Sequence, residues 1–442
     1  MSESSHNRSE RQSIFQRFVH SEVSGSILLL LCTVVALFWA NSAWSESYFD
    51  LIEKYIGVAW GDAAFKLSLQ HWVNDVLMAV FFFVVGLEIK REIVVGQLSS
   101  LSRSVLPVSA ALGGMLVPAA FYFVVNTSGP GVSGWGIPMA TDIAFALGIL
   151  ALFGRRVPTG LKVFLTALAI ADDLGAVLVI AIFYSGTINL IALGVAGVLL
   201  AAIGAANRAG VTRSGLYIVL AIGVWLAVFS SGVHATVAGI LVAMLVPVKA
   251  RIDPSEFLVR ARSRLEELDA AELTRESMLH DRAQLEALDD MYLAAGKMIP
   301  AGVALEEALH PVVVFLILPL FALFNAGVTI DAGVATLPPA PVTLGVVLGL
   351  FLGKQLGIWL FSWMAIKSGW ARMPEGVTWP MIYGAGLLAG VGFTMSLFVS
   401  DLAFDAAELL NEAKIGILAG SLLSGAAGYL TLSRVLRERR AG

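Results

Sequence analysis

Four ionisable residues lie deep inside long apolar stretches of this 442-residue sequence, namely Asp142, Asp172, Asp173 and Lys354. On insertion scales, a charged side chain at the centre of a membrane helix costs about 2.5–3.5 kcal/mol, so such residues are rare unless they have a function. Their number and depth predict a binding site for ions inside the hydrocarbon region.

Two of these acids, Asp172 and Asp173, are adjacent in the stretch ALAIADDLGAVLVIAIF. Neighbouring helical positions point about 100° apart, so the two carboxylates cannot share one partner on one face. Carboxylates this close also titrate as one coupled unit, which suits a site that takes up and releases protons. We predict that one acid faces a cation pathway and the other a neighbouring helix. The alternative is a static salt bridge for each acid.

The buried cation, Lys354, occurs midway along the apolar stretch LGLFLGKQLGIWLF. An ammonium group in hydrocarbon needs a carboxylate partner, and Asp172 or Asp173 is the natural one. If a bound cation breaks this pair, the lysine becomes a proton carrier. If the pair persists, the lysine is a structural brace, and the sequence leaves both roles open.

Two apolar stretches carry signals of a broken helix. Asp142 follows Thr141 in GIPMATDIAFALGIL, four residues after Pro138. The second stretch, YGAGLLAGVGFTMSLFVS, contains four closely spaced glycines, which make a poor continuous helix. Breaks in both halves of a chain are typical of transporters built from inverted repeats. Simpler alternatives are a helix that starts at Pro138, and glycines that only allow close helix packing.

The composition requires a membrane environment for these stretches. Hydrophobic residues make up 57% of the chain and charged residues only 14%. A soluble protein of this length needs more polar residues to cover its surface. The net charge of −4 excludes a nucleic-acid partner, and the single cysteine, Cys32, excludes an internal disulfide. We predict an all-α polytopic membrane protein whose surroundings are lipid. About twelve apolar runs have spanning length, at 24–41, 71–90, 104–126, 135–153, 159–184, 190–206, 214–229, 233–247, 311–326, 341–366, 381–400 and 413–434.

The distribution of lysine and arginine predicts the orientation. These residues cluster at 8–17, 90–103, 155–162, 208–213, 367–372 and 434–440, whereas the other side holds only Lys54, Lys66 and Lys414. Both termini are therefore predicted on the cytoplasmic side of the membrane. The resulting domains are a cytoplasmic N-terminal segment (1–22), two transmembrane portions (23–247 and 311–434), a charged cytoplasmic insert (248–310) and a basic tail (435–442).

The insert has leucines spaced among Glu and Arg, between Pro254 and Pro300. This pattern predicts amphipathic helices on the cytoplasmic face. Either they form a solvated linker, or they regulate the protein or bind a partner.

Several stretches resemble those of NhaA-type sodium/proton antiporters, in the same order from about Ser21 to the last span. They are WVNDVLMAVFFFVVGLEIKRE, PMATDIAFALGILALFGRRVP, FLTALAIADDLGAV, SGVHATVAGI, HPVVVFLILPLFALFNAGV, GKQLGIWLF and GVGFTMSLF. The resemblance implies an electrogenic, pH-regulated transporter, not an enzyme, that exchanges Na+ or Li+ for protons by alternating access. It implies inverted-topology repeats, two discontinuous helices crossing near the midplane, a homodimer and no cofactor.

The resemblance also implies roles for individual residues. Asp173 and Asp172 are the carboxylates that bind the transported Na+ or Li+, and Lys354 pairs with Asp172. Asp142 and Thr141 belong to the broken fourth span, and Asp75 helps the cation pathway. The residues implied in the pH response are Glu88, Arg91, Glu92, His234, Glu306 and His310.

The chain departs from the family pattern in two places. The region 250–303 is longer than in a minimal member, directly before Glu306 and His310, which affects the expected pH threshold more than the chemistry. Gln355 replaces the usual proline after the lysine, so the local helix geometry is expected to differ from the family pattern.

A rival reading from another class is a rhomboid-like intramembrane serine protease. Ser133 lies in a GxSG pattern and His234 follows in a later span. This reading leaves the buried charges unexplained. A passive cation channel is a further alternative. No GxxxxGK[ST] loop is present, so ion gradients must supply the energy.

Overall fold

The computed structural model describes residues 22–60, 63–211, 214–249, 254–270, 282–298, 300–329 and 339–438. The predicted N-terminal segment, apart from Glu22, and the end of the basic tail lie outside these ranges. Parts of the predicted insert also lie outside them.

The first half of the chain contains helices and one hairpin. Its elements are α1 (Glu22–Ala40), α2 (Ser45–Glu53), β1 (Tyr55–Trp60), β2 (Ala63–Ser68), α3 (Leu69–Val94), α4 (Leu101–Val125), a 3₁₀ segment (Pro130–Met139), α5 (Ile143–Ala151), α6 (Thr159–Phe183), α7 (Leu190–Arg208), α8 (Ser214–Phe229) and α9 (Val237–Ala243). Short 3₁₀ turns also occur at Gln97–Ser99 and Gly154–Arg156.

The second half begins with the insert. Its elements are α10 (Pro254–Ala270), α11 (Arg282–Met298), α12 (Ala301–Asn325), α13 (Pro341–Lys367), α14 (Trp379–Ala389), α15 (Phe393–Ala403) and α16 (Ala407–Glu438). Three helices contain a π-helical turn: α3 at Trp72–Leu77, α12 at Val313–Ile317 and α13 at Gly349–Gly353.

Within the described ranges, nine helices are long and apolar enough to cross a membrane, or ten if the bent pair α14 and α15 is one span. The protein is therefore a multi-pass membrane protein. The prediction of about twelve spans is not reached, because the run at 214–229 gives a helix of only 16 residues and the run at 233–247 one of only 7. Between these two helices, the backbone turns at Gly232, which has a φ of 83°.

The prediction of an all-α chain is wrong in the segment after α2. Strands β1 and β2 form an antiparallel pair in which Tyr55 lies opposite Ser68 and Gly57 opposite Lys66. The sequence of β1, YIGVAW, is rich in the β-branched and aromatic residues that favour strands. Trp72 at the start of α3 donates its indole N–H to the carbonyl of Ile56 at 3.0 Å. We call this end of the helical bundle the hairpin face.

The helix that carries Lys354 packs against α4 with almost no space between the backbones. A Cβ atom on Gly113 would collide with the carbonyl oxygen of Gly357, and one on Gly357 with that of Gly113. Glycine at both positions thus allows α4 and α13 to touch along their main chains. The π-helical turn of α13 ends at Gly353, so Lys354 is placed by a fixed backbone contact next to a local change of helical register.

The insert leaves and rejoins the helical bundle at one narrow point, at the end opposite the hairpin face. The N–H of Gly302 donates to the carbonyl of Pro247 at 2.9 Å. Helices α10 and α11 are joined by Arg264, which pairs with Glu267 at 2.7 Å and with Asp290 on the other helix. We call this end of the bundle the insert face.

Candidate functional site

The two adjacent acids of α6 lie among helices α4, α5 and α13, and each is only 1% exposed. The ammonium of Lys354, also 1% exposed, donates to Oδ2 of Asp172 at 2.7 Å. In the described part of the chain, Asp173 forms no ion pair, and Oδ1 of each acid has no hydrogen-bond partner. The static salt bridge considered for each acid therefore exists for Asp172 alone. Unpaired carboxylate oxygens at this depth are costly unless a proton or a cation binds them.

The third buried acid, Asp142, holds together the starts of two helices. It is the N-cap of α5, where its Oδ1 accepts the N–H of Phe145 at 3.1 Å. Its Oδ2 accepts the N–H of Thr394 at 3.1 Å and the hydroxyl of Thr394 at 2.5 Å, at the first turn of α15. A single negative charge therefore faces the positive ends of two helices. Helix α5 begins at Ile143 and not at Pro138, which lies in the 3₁₀ segment.

The chain interruptions before α5 and between α14 and α15 touch each other. The N–H of Asp142 donates to the carbonyl of Val391 at 2.7 Å, and the hydroxyl of Thr141 to that of Ala389 at 2.9 Å. Helices α14 and α15 meet at an angle of 46° across their break. Each interruption thus supplies partners for backbone groups that the other leaves free, as buried irregular backbone requires.

Lys354 contacts the chain just before the interruption that precedes α5. Besides Asp172, its ammonium contacts the carbonyl of Met139, the last residue of the 3₁₀ segment. A cation at a helical C-terminal end and an acid at the N-terminal ends both compensate backbone dipoles. Asp142 and Lys354 thus compensate the dipoles of the helix ends that they contact. Asp173 takes no part in these contacts among the described residues.

Toward the hairpin face, Asp75 lies on the π-helical turn of α3. Its Oδ1 is 3.7 Å from Nε2 of His234, whose Nδ1 hydrogen bonds with the hydroxyl of Thr236 at 2.8 Å. The structure thus brings together Asp75, which was expected to help the cation pathway, and His234, which was expected to contribute to the pH response. Among the described residues, neither Asp75 nor His234 forms a hydrogen bond with Asp172 or Asp173.

At the insert face, Arg91 pairs with Glu306 at 3.2 Å. Glu88 lies within electrostatic range of both, and also of Asp173, so it connects this cluster with the buried acids. Glu92 lies within electrostatic range of Glu88 and Glu306, and it also accepts the backbone N–H of Gln97 at 2.7 Å. His310 lies one turn beyond Glu306 on α12 and is exposed. Of the residues assigned to a pH response, the structure therefore groups Glu88, Arg91, Glu92 and Glu306 at this face.

The residues of the rival protease reading are engaged elsewhere. The hydroxyl of Ser133 donates to the carbonyls of Pro130 and Ala403, each at 3.0 Å. His234 hydrogen bonds with Thr236 and lies next to Asp75. No serine–histidine contact of a nucleophilic site is formed by these two residues.

Several residues that shape the site were not singled out from the sequence. Thr394 binds Asp142, Ser396 donates to the carbonyl of Ile137 at 2.8 Å, and Ser421 accepts the N–H of Gly392 and of Phe393, each at 3.2 Å. For Thr394 and Ser396, a hydroxyl just after a glycine-rich break is the available signal, because such breaks leave backbone groups that need partners. Ser421 lies on α16, far from the break in the chain, and has no such signal.

Comparison with known proteins gives a consistent result. A family model described as Na+/H+ antiporter 1 matches residues 16–432. A protein of Oleidesulfovibrio alaskensis named Na(+)/H(+) antiporter NhaA is 45% identical over 96% of this chain and 94% of its own length. Proteins with the same name from Bordetella parapertussis and Acidithiobacillus ferrooxidans are 48% and 46% identical, each over 96% of this chain, and over 97% and 98% of their own lengths.

Proposed function

The chain belongs to the Na+/H+ antiporter 1 family, and on this premise we propose how its buried charges exchange sodium for protons. The protein is a sodium/proton antiporter that spans the membrane several times. The observation that carries the proposed mechanism is the acid pair on α6, in which Asp173 has no ion pair among the described residues and Asp172 shares Lys354.

The proposed reaction is competition for one site. The unpaired oxygens of Asp172 and Asp173 bind either protons or a dehydrated Na+ or Li+, because a buried carboxylate needs one or the other. Only the loaded states cross between the two faces, and Asp75 assists the cation on the hairpin side. One proton comes from Asp173 and a second from the Asp172–Lys354 pair. The exchange therefore moves net charge and responds to the membrane potential.

The proposed architecture for this cycle is alternating access. The interruptions at 140–142 and 390–392 belong to two discontinuous helices that cross near the midplane, one in each inverted repeat. The hydrogen bonds of Thr141 and Asp142 to the second break support this arrangement. We also place the short helices α8 and α9 within the membrane, which brings the spans to about the predicted twelve.

The proposed orientation puts the insert face and both termini on the cytoplasmic side of a bacterial inner membrane, because lysine and arginine cluster on that side. Arg91 and Glu306, with Glu88 next to them, then form a charged entrance that senses cytoplasmic pH. Glu92, His234 and His310 remain expected contributors, and a homodimer remains expected from the resemblance.

The charge movement gives a direct test of this mechanism. In everted vesicles with a pH-sensitive dye, added sodium should drive proton exit between pH 6 and 9. Clamping the membrane potential with potassium and valinomycin should raise the initial rate at least about twofold, since net charge movement otherwise builds an opposing voltage. An unchanged rate with active protein would show electroneutral exchange. Ser133→Ala serves as a control. As an antiporter, this variant should exchange sodium for protons normally, whereas a serine protease would lose its proteolytic activity.

Removal of the insert tests whether it is dispensable for transport. Because Pro247 and Gly302 are hydrogen bonded, a Gly/Ser linker of about four residues can replace 250–299 without separating α9 from α12. We expect folded protein that exchanges sodium within about threefold of the full chain at its best pH. The rate is measured from pH 6 to 9. Loss of exchange in a monodisperse, folded variant would show that the insert is part of the transport machinery.

A further inference from the structure

A buried polar network lies near the hairpin face, away from the acid pair. Asn74, only 5% exposed, donates one amide hydrogen to Oδ2 of Asp401 at 2.7 Å and the other to Oδ1 of Asn325 at 3.0 Å. Asn325 returns a hydrogen bond to Oδ1 of Asn74 at 2.8 Å. Both hydrogens and the oxygen of the Asn74 amide are thus engaged, which fixes the orientation of that side chain.

The network is anchored beyond these three residues. Asn325 also donates to the carbonyl of Phe321 at 2.9 Å and accepts from Gln70 at 3.2 Å. Its members come from α3, α12 and α15, so it joins three helices that are far apart in sequence. A buried network in which each member is satisfied resists rearrangement, because any broken bond leaves a buried polar group without a partner.

Two of these helices carry residues of the proposed mechanism. Asn74 directly precedes Asp75 on the π-helical turn of α3. Asp401 follows Thr394 by seven residues on α15, which is two helical turns or about 10 Å along one rigid element. The bond between Asn74 and Asp401 therefore ties α15, whose first turn donates to Asp142, to the helix that carries Asp75.

We propose that Asp401 is a positioning residue of the antiport reaction: its carboxylate holds the hairpin end of α15 against Asn74, and thereby keeps Thr394 in place on Asp142. This inference rests on the proposed function, since it assumes that the Asp142–Thr394 contact shapes the cation site. The hydrogen bond, not the charge, is the working feature, although Asp401 also lies within electrostatic range of Asp75 and Lys414.

The first experiment separates bond from charge, using sodium-dependent exchange in everted vesicles. Asp401→Ala removes the acceptor, so the binding-competent arrangement is less populated and the KM for sodium should rise about tenfold with kcat within about twofold. Asp401→Asn keeps an oxygen that accepts from Asn74, so its KM should stay within about threefold of the unmodified protein. Asp405→Ala, an exposed acid four residues further on, is the matched control.

The second experiment is a rescue. Asn74→Asp places two carboxylates opposite each other and should raise the KM for sodium at least about tenfold. Adding Asp401→Asn restores a donor and an acceptor across the pair, and should recover at least about half of that loss on a logarithmic scale. A general packing defect at Asn74 would not be relieved by the second substitution.

Three outcomes would overturn the inference: an unchanged KM in Asp401→Ala, equal KM values in Asp401→Ala and Asp401→Asn, or no recovery in the double variant. Asp173→Asn is measured in the same series. If Asp173→Asn retains exchange, the proposed site is wrong; if it is inactive while Asp401→Ala behaves normally, only the role of Asp401 is wrong.

Discussion

Asp173→Asn is expected to abolish sodium-driven proton movement while the protein stays folded and inserted. The substitution keeps the shape of the side chain but removes the charge that a dehydrated sodium ion needs. Loss of a charged ligand in a buried site costs about 3 kcal/mol or more, so the exchange rate should fall at least about a hundredfold. The measurement is dye fluorescence in everted vesicles after sodium addition, at matched amounts of protein.

Folding of this variant should be unaffected, since Oδ1 of Asp173 has no partner to lose among the described residues and the side chain forms no ion pair with them. Asp405→Asn is the matched control, because that acid is exposed. Normal exchange in Asp173→Asn would remove the acid pair from the mechanism. A misfolded Asp173→Asn would instead assign the residue to the packing of α6.

Asp142→Ala is expected to give the largest loss of stability. Its carboxylate accepts three hydrogen bonds from the first turns of α5 and α15, and the side chain is only 2% exposed, so the freed donors would be left buried without a partner. Two lost helix caps with buried N–H groups cost at least about 3 kcal/mol together. Sodium exchange should fail as well, because the two chain breaks lose their common anchor.

The unfolding midpoint can be followed in detergent with a thiol-reactive fluorophore, because Cys32 is the single cysteine of the chain. Thr394→Val is the matched variant. It removes only the hydroxyl bond to Asp142 and keeps the backbone N–H bond, so it should cost about 1 kcal/mol. If Asp142→Ala melts at the same temperature as the unmodified protein, Asp142 does not anchor the crossing.

The sequence could predict the buried charge pair because few partners exist at that depth. Lys354 is the one cation in the middle of an apolar run, and the acids of α6 are the strongest candidates to neutralise it. The choice of Asp172 over Asp173 was taken from the resemblance. It depends on how α6 is rotated relative to α13, which no local sequence pattern specifies.

The partner of Asp142 could not be predicted. Thr394 is 252 positions away in the chain, and its pairing depends on how two breaks meet in space. The glycine-rich stretch indicated a break, but not which backbone groups would be left free or which side chains would serve them. Long-range polar contacts of this kind carry no local pattern, and the same holds for Asn74, Asn325 and Asp401.

Local patterns also explain the errors. Apolar composition predicted the run at 214–229 with the bounds that α8 has, but it did not predict that the run at 233–247 forms a helix of only 7 residues, which begins after the turn at Gly232 and ends before Pro247. The hairpin after α2 is not predicted by the pattern of spanning-length apolar runs, because the strand-like run YIGVAW has only six residues. At the insert face, Glu306 and His310 lie one helical turn apart on α12. This spacing does not reveal that Glu306 is half-buried against Arg91 whereas His310 is exposed.

The central claim, that sodium and protons compete for Asp172 and Asp173, is tested most directly by proton release on sodium binding. Titration calorimetry of the purified protein in two buffers of different ionisation enthalpy counts the protons set free for each sodium ion bound. The account predicts about two protons per ion, one from Asp173 and one from the Asp172–Lys354 pair, and no binding when both acids are replaced by asparagine. Sodium binding with unchanged affinity and proton release in that double variant would contradict it.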